Sequence, residues 1–241
     1  MQPADQASGI QGARRTRMSF DFSVIADNWH ILAKGFGNTV LMCAVALPFG
    51  FALGTVLALI RLRGGRVPAA IVSAYVEIFR NIPFLIQIFL LFYALPMFGV
   101  RLSPVVVSIG ALSAYASAYS AEIIRGAIQS ISYGQVEAGY ALGLRYLTIF
   151  RKILVPQVLG YILPAATNLT ITLIKESAIL SAITVPELTY MAQNIIGRTF
   201  SPVEIFTAIA LLYWGLTALV AAISRSLEHR LQPHLAARRG A

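Results

Sequence analysis

Charged side chains are scarce in this chain. They make up 12% of its 241 residues, against about a quarter in a soluble domain, and that scarcity excludes an ordinary soluble fold. Cysteine is nearly absent: Cys43 stands alone and can form no intrachain disulfide, so no oxidised framework is implied. It lies inside an apolar run and reads as a small core residue. The three histidines, His30, His229 and His234, sit towards the ends. There is no H-E-x-x-H and no cysteine–histidine pair, so the signatures of an intramembrane enzyme are missing. No G-x-x-x-x-G-K-[ST] phosphate loop occurs, and the chain is not expected to hydrolyse a nucleotide itself. A cleavable signal is also wanting, because the paired arginines of "ARRTRMSFDF" (13–22) are not followed directly by an apolar stretch.

What is present is apolar sequence: 57% hydrophobic residues and a mean hydropathy of +0.72. Charge-free runs of twenty residues or more cover 35–60, 81–100, 102–121, 153–174 and 205–224. A helix needs about twenty apolar residues to cross the hydrocarbon core, and only helices or closed barrels satisfy their backbones there. Barrel strands are shorter, about ten residues, and alternate; these runs do not. The expectation is an all-α integral membrane protein with five transmembrane helices.

The net charge of +9 would suggest nucleic acid in a soluble protein. Here the bases follow the membrane instead, and no nucleic-acid partner is expected. With five spans, twelve of the nineteen Lys and Arg residues fall on the side holding the loops after spans one and three and the C-terminus. Seven fall on the other, or four if translation starts at Met18. Basic short loops mark the cytoplasmic face, which places the N-terminus outside and the C-terminus inside. Residues 1–18 are expected to be a disordered extension, residues 19–228 the transmembrane domain and 229–241 a basic cytoplasmic tail.

Residues 19–34 read as a short amphipathic lead-in, with Trp29 and His30 at the interface. Span one, about 37–61, carries Gly50 and Gly54 at the G-x-x-x-G spacing that permits close helix approach. Span two, about 68–95, contains "YVEIFRNIPFLIQ" (75–87): Glu77 and Arg80 share a face and are placed to pair, and Pro83 is placed to kink the helix. Span three, about 104–128, repeats the acid-then-arginine spacing at Glu122 and Arg125. Span four, about 156–174, is followed by "IKESAILSAITVPEL" (174–188), too short to cross again and expected to be a broken or re-entrant segment. Span five is about 203–224.

Between spans three and four lies "EAGYALGLRYLTIFRKILVP" (137–156), polar and glycine-punctuated. Glu137 suits the positive end of a short helix, Gly143 suits a helix end and change of direction, and Pro156 suits the start of the next span. Leu144, Leu147, Ile149 and Phe150 supply an apolar face. Small residues at 138, 139, 141 and 143 leave room for a partner, so the stretch reads as a surface helix-turn-helix facing a cytoplasmic protein.

These residues resemble the cytoplasmic loop of ATP-binding-cassette importer permeases: E-A-A, three residues, G, nine residues, I-x-L-P. Glu137-Ala138-Gly139, then Gly143, then Ile153-Leu154-Val155-Pro156 keep that spacing, with Gly139 and Val155 as departures. Gly139 is expected to loosen the first helix of the loop. Further segments, "GNTVLMCAVALPFGFALGTVLALIRL", "YVEIFRNIPFLIQ" and "LVPQVLGYILPAATNLTITLIKESAIL" among them, are similar to the polar amino-acid permease subfamily, which serves histidine, glutamate, glutamine, arginine and opines. The resemblance covers about 19–228. It implies the type I importer permease (MetI-like) fold, with coupling helices at 134–152. It implies residence in a bacterial inner membrane, a second permease subunit, a pair of cassette ATPase subunits that bind the ATP, and a periplasmic binding protein delivering a polar amino acid. No cofactor is expected in this chain. The rival readings are an ion-coupled transporter acting alone, which usually shows internal repeats across more helices, and an intramembrane enzyme.

The coupling candidates are therefore Glu137, Ala138, Gly139 and Gly143. For the solute path the candidates are polar groups at membrane depth: Glu77, Arg80, Gln87, Asn168, Lys175 and Glu176. Lys175 and Glu176 lead, because they stand where a helix is expected to break.

Overall fold

The computed structural model describes residues 20–231, with side chains to residue 228; the expected N-terminal extension and, past residue 231, the basic tail lie outside the described residues. The described residues form helices joined by short loops, with no strand among them. Helix α1 runs Phe22–Arg63. It starts at Asp21, whose side chain accepts from the Ser23 amide at 2.9 Å, and stops at Gly64-Gly65. The lead-in expected at 19–34 is not a separate element: a charge such as Lys34 ends the apolar run without ending the helix, and the first turns of α1 continue beyond it.

The second span is broken. Helix α2 (Arg66–Asn81) and the limb formed by α3 (Phe84–Ala94) with its 3-10 turn Leu95–Phe98 meet at 109°. Proline causes the break. Pro83 offers no amide and drives Ile82 into an extended conformation (φ −89°, ψ 133°). The carbonyls freed there would be costly in an apolar interior. The Gln87 side chain meets two of them, its Nε2 donating to Phe79 O at 2.9 Å and Ile82 O at 2.7 Å.

Helix α4 (Pro104–Gln129) is the central column. It packs directly on α1, because Gly50 and Gly54 present bare backbone to Ala116, Ser117 and Ser120. A Cβ at Gly54 would lie 1.9 Å from Ser120 Oγ, and that hydroxyl donates to Gly50 O at 3.1 Å. The G-x-x-x-G spacing thus marks a real helix contact. Below it, Glu122 bonds both Arg125 (2.7 Å) on its own helix and Arg61 of α1.

After α4 come two short helices, α5 (Gly134–Ala141) and α6 (Tyr146–Ile149). A π-helical turn, Phe150–Leu154, then leads without interruption into α7 (Val155–Glu176). Pro156 could not donate to the carbonyl four residues back, and the wider turn accommodates that missing bond. Span four is therefore longer than the apolar run: an unbroken helical stretch covers Tyr146–Ile183, its last part the 3-10 turn Ser177–Ile183. The break expected within 174–188 comes at Thr184, at φ 62°, followed by a tight turn at Val185-Pro186 in which Glu187 N donates to Val185 O at 2.7 Å. Helix α8 (Leu188–Thr199) then packs beside α1 and α9 (Pro202–Leu231) completes the fold. Among the described residues four helical stretches are long and apolar enough to cross a bilayer, and the bent α2–α3 pair, taken as one span, makes a fifth.

Among the described residues two main apolar cores hold this together, with a small third cluster of Val72, Val76 and Ala121 between α2 and α4. The larger gathers Met42, Phe84, Ile88, Leu112, Tyr115, Leu173 and Leu180 around α4. The smaller joins α1, α8 and α9 through Leu32, Leu188, Ile195, Ile205 and Ile209.

Candidate functional site

The cap formed by α5 and α6 is built by local rules. Glu137 lies in the first turn of α5, exposed, where its charge complements the helix dipole. Ala138 is exposed beside it. The helix closes with two crossed backbone bonds, Leu144 N to Gly139 O at 3.0 Å and Gly143 N to Tyr140 O at 2.9 Å. That closure requires a left-handed residue at 143, and Gly143 supplies it at φ 73°. Arg145 then starts α6, its carbonyl accepting from Thr148 and Ile149.

Gly139 behaves differently from the expectation of a loosened helix. It is buried, and a Cβ there would lie 2.7 Å from both Cγ1 and Cδ1 of Ile149. The glycine makes room for the isoleucine. Gln135 and Gln157 exchange amide hydrogen bonds of 2.9 and 2.6 Å, tying α5 to the base of α7. Outward, the cap shows Tyr140, Leu142 (78% exposed), Tyr146, Leu147 (62%) and Phe150, flanked by exposed Arg145, Arg151 and Lys152. Of the apolar face expected from the sequence, Ile149 is turned inward and Leu147 and Phe150 remain outside.

The six path candidates separate. Glu77 and Arg80 are both exposed and form no ion pair; Arg80 lies over the Tyr119 ring instead, 5.5 Å from its centroid. The Tyr119 and Tyr115 ring centroids lie 4.5 Å apart, and those of Tyr115 and Phe84 5.3 Å apart. Arg80 thus borders an aromatic cluster. Glu176 is half-buried at the end of α7, and Lys175 and Asn168 are exposed on the same helix. Gln87 is occupied at the helix break, although its Oε1 is buried without a partner.

Sequence reasoning passed over a buried group. Glu187 is wholly enclosed. Its carboxylate accepts from Tyr190 N at 2.7 Å, Thr189 N at 2.8 Å and the Tyr213 hydroxyl at 3.0 Å. Thr39 Oγ1 accepts from Leu188 N at 3.1 Å, and Asn38 Nδ2 donates to Pro186 O at 2.7 Å. The loop before α8 is thereby fastened to α1 and α9. The available signal was an acid directly before an amphipathic helix, a capping position.

Comparison with known proteins agrees with this arrangement. Residues 46–233 match the family described as binding-protein-dependent transport system inner membrane component. The nopaline transport system permease protein NocM of Agrobacterium fabrum is 35% identical over 91% of this chain and 95% of its own. The glutamine transport system permease protein GlnP of Escherichia coli is 33% identical over 89% of this chain and 99% of its own. A crystal structure of an amino acid ABC transporter with histidines superposes with a TM-score of 0.81 at 31% identity, covering 88% of this chain and all of that one. A membrane-spanning bundle, a glycine-closed cap between its third and fourth spans and a family match across most of its length lead to one conclusion: the chain is an ABC importer permease, a member of the binding-protein-dependent transport system inner membrane component family.

Proposed function

We propose that this chain carries polar amino acids or related compounds across a bacterial inner membrane as one of two permease subunits, with its N-terminus outside and its C-terminus inside. The observation that carries the reading is the cap at 134–150. It is closed by Gly143, presents apolar side chains beside exposed bases and continues helically into a span. Such a surface suits a cytoplasmic protein partner, with Glu137 offering a carboxylate to a cation on it. That partner is a cassette ATPase pair, which binds and hydrolyses the ATP; this chain needs no cofactor of its own. A periplasmic binding protein delivers the solute. Nopaline and glutamine transport by similar permeases supports a polar amino-acid or opine solute.

Exposed Arg80 and Lys175 support a second subunit and a wet path. A charge at membrane depth is unfavourable against lipid and is found facing protein or water. Solute contact is assigned to Arg80 with the Tyr119 and Tyr115 rings, and to Glu176, Lys175 and Asn168 on α7. The test is reconstitution with the ATPase and binding protein. Uptake of a labelled polar amino acid is expected only with ATP and binding protein, and Glu137→Lys or Gly143→Val is expected to cut ATPase co-purification and uptake about tenfold or more. Uptake driven by an ion gradient without the ATPase, or unchanged behaviour of both variants, refutes the reading.

A further inference from the structure

The cap has almost no interior. Within α5 only Gly139 is buried, and within α6 only Ile149. The two face each other: a Cβ at 139 would lie 2.7 Å from Ile149 Cγ1 and Cδ1 and 3.5 Å from its Cγ2. Carbon atoms in good contact stand roughly 3.5–4.0 Å apart. Ile149 cannot easily swing away, because it is fully enclosed and a β-branched side chain on a helix has one strongly preferred rotamer. The side-chain hydrogen bonds of α5 among the described residues are those between Gln135 and Gln157. From Ile149 the backbone passes through the π-helical turn into α7.

We infer that Gly139 and Ile149 form the joint that passes a load on α5 into α7, the isoleucine filling from one side the volume that an alanine at 139 would fill from the other. Both are positioning residues: they hold the angle between the docking helix and the span. The inference rests on the reading of 134–150 as the docking cap. Its specific content is compensation, in which a side chain gained at 139 is tolerated when one is lost at 149.

The experiment uses the complete importer, full-length chain with ATPase and binding protein, in proteoliposomes, and reads solute taken up per ATP hydrolysed. Gly139→Ala is expected to retain ATPase co-purification while uptake per ATP falls about tenfold, the change that about 1.4 kcal/mol of overpacking produces. Ile149→Ala, which leaves the notch empty, is expected to lower the ratio similarly. Gly139→Ala with Ile149→Ala is expected to return to within about twofold of wild type. Ile149→Val removes one contacting atom only, and a fall of about threefold is expected even if the alanine variants accumulate poorly. A merely structural role would lower yield and leave the ratio unchanged. Wild-type coupling in Gly139→Ala or Ile149→Val, or effects that add in the double variant, overturns the joint alone. A wild-type complex without ATP-driven uptake overturns the docking reading and the joint with it.

Discussion

Glu187→Ala is expected to be among the most destabilising single changes in this protein, and the size of the effect follows from its partners. The carboxylate accepts three hydrogen bonds and is wholly enclosed, so water does not replace it. Losing the cap costs about 1 kcal/mol. The second amide left without an acceptor adds about 1–3 kcal/mol. Tyr213 keeps one partner, Thr189 Oγ1 at 3.1 Å, and contributes less. Removing a buried charge also relieves its desolvation, which offsets part of the loss. The net expectation is about 2–4 kcal/mol. Glu187→Gln keeps the shape and one acceptor oxygen. Its Nε2 can donate to a rotated Tyr213 hydroxyl, at the expense of one amide, for about 1–2 kcal/mol. Tyr213→Phe should cost about 1 kcal/mol, and less when Glu187 is already alanine, because the two share a bond. Unfolding of the purified variants in detergent, followed as loss of monodisperse protein with temperature, should rank wild type, Gln, Ala. An alanine variant that survives heating as well as wild type, or strict additivity with Tyr213→Phe, would refute the capping argument.

Gly54→Ala should lower stability by about 2–3 kcal/mol or more in the same assay. The added Cβ would sit 1.9 Å from Ser120 Oγ and 2.7 Å from Ser117 O, so α1 and α4 must separate; unchanged unfolding would contradict the close packing. Glu176→Ala and Lys175→Ala should each reduce solute uptake about tenfold with ATPase co-purification intact. Wild-type uptake by both would remove that end of α7 from the path.

The spans were legible because bilayer thickness imposes a length on apolar runs, and the break at Ile82-Pro83 because proline's geometry is local. The extents of α1 and the fourth span were not legible in the same way. Lys34, Arg151 and Lys152 mark where the apolar run meets polar surroundings, while the helices continue past them. Gln87 read as a path residue because a polar group in an apolar run suggests function. In three dimensions it serves the broken backbone. Arg61 pairs with Glu122 on another helix, a contact no local spacing announces. Glu187 is missed for a related reason: glutamate is not among the favoured capping residues, and only the convergence of Tyr213 and the α8 amides makes it one.

These particulars join into one mechanical line. The helical stretch Tyr146–Ile183 has 38 residues, a rod of about 57 Å at 1.5 Å per residue. A tilt of about 5° imposed at its Tyr146 end would move the far end by about 5 Å, nearly one helical pitch. That lever works only if both ends are firm. At the Tyr146 end α5 meets it through Gly139 and Ile149. At the other end it stops at Thr184, a β-branched residue held at φ 62°, and the next few residues are pinned to α1 and α9 by Asn38, Thr39 and Tyr213. A backbone in that strained region persists only where its surroundings over-determine it. The fastening built around Glu187 is therefore the counterpart of the joint at Gly139 and Ile149, and the helical stretch between the two carries Lys175 and Glu176.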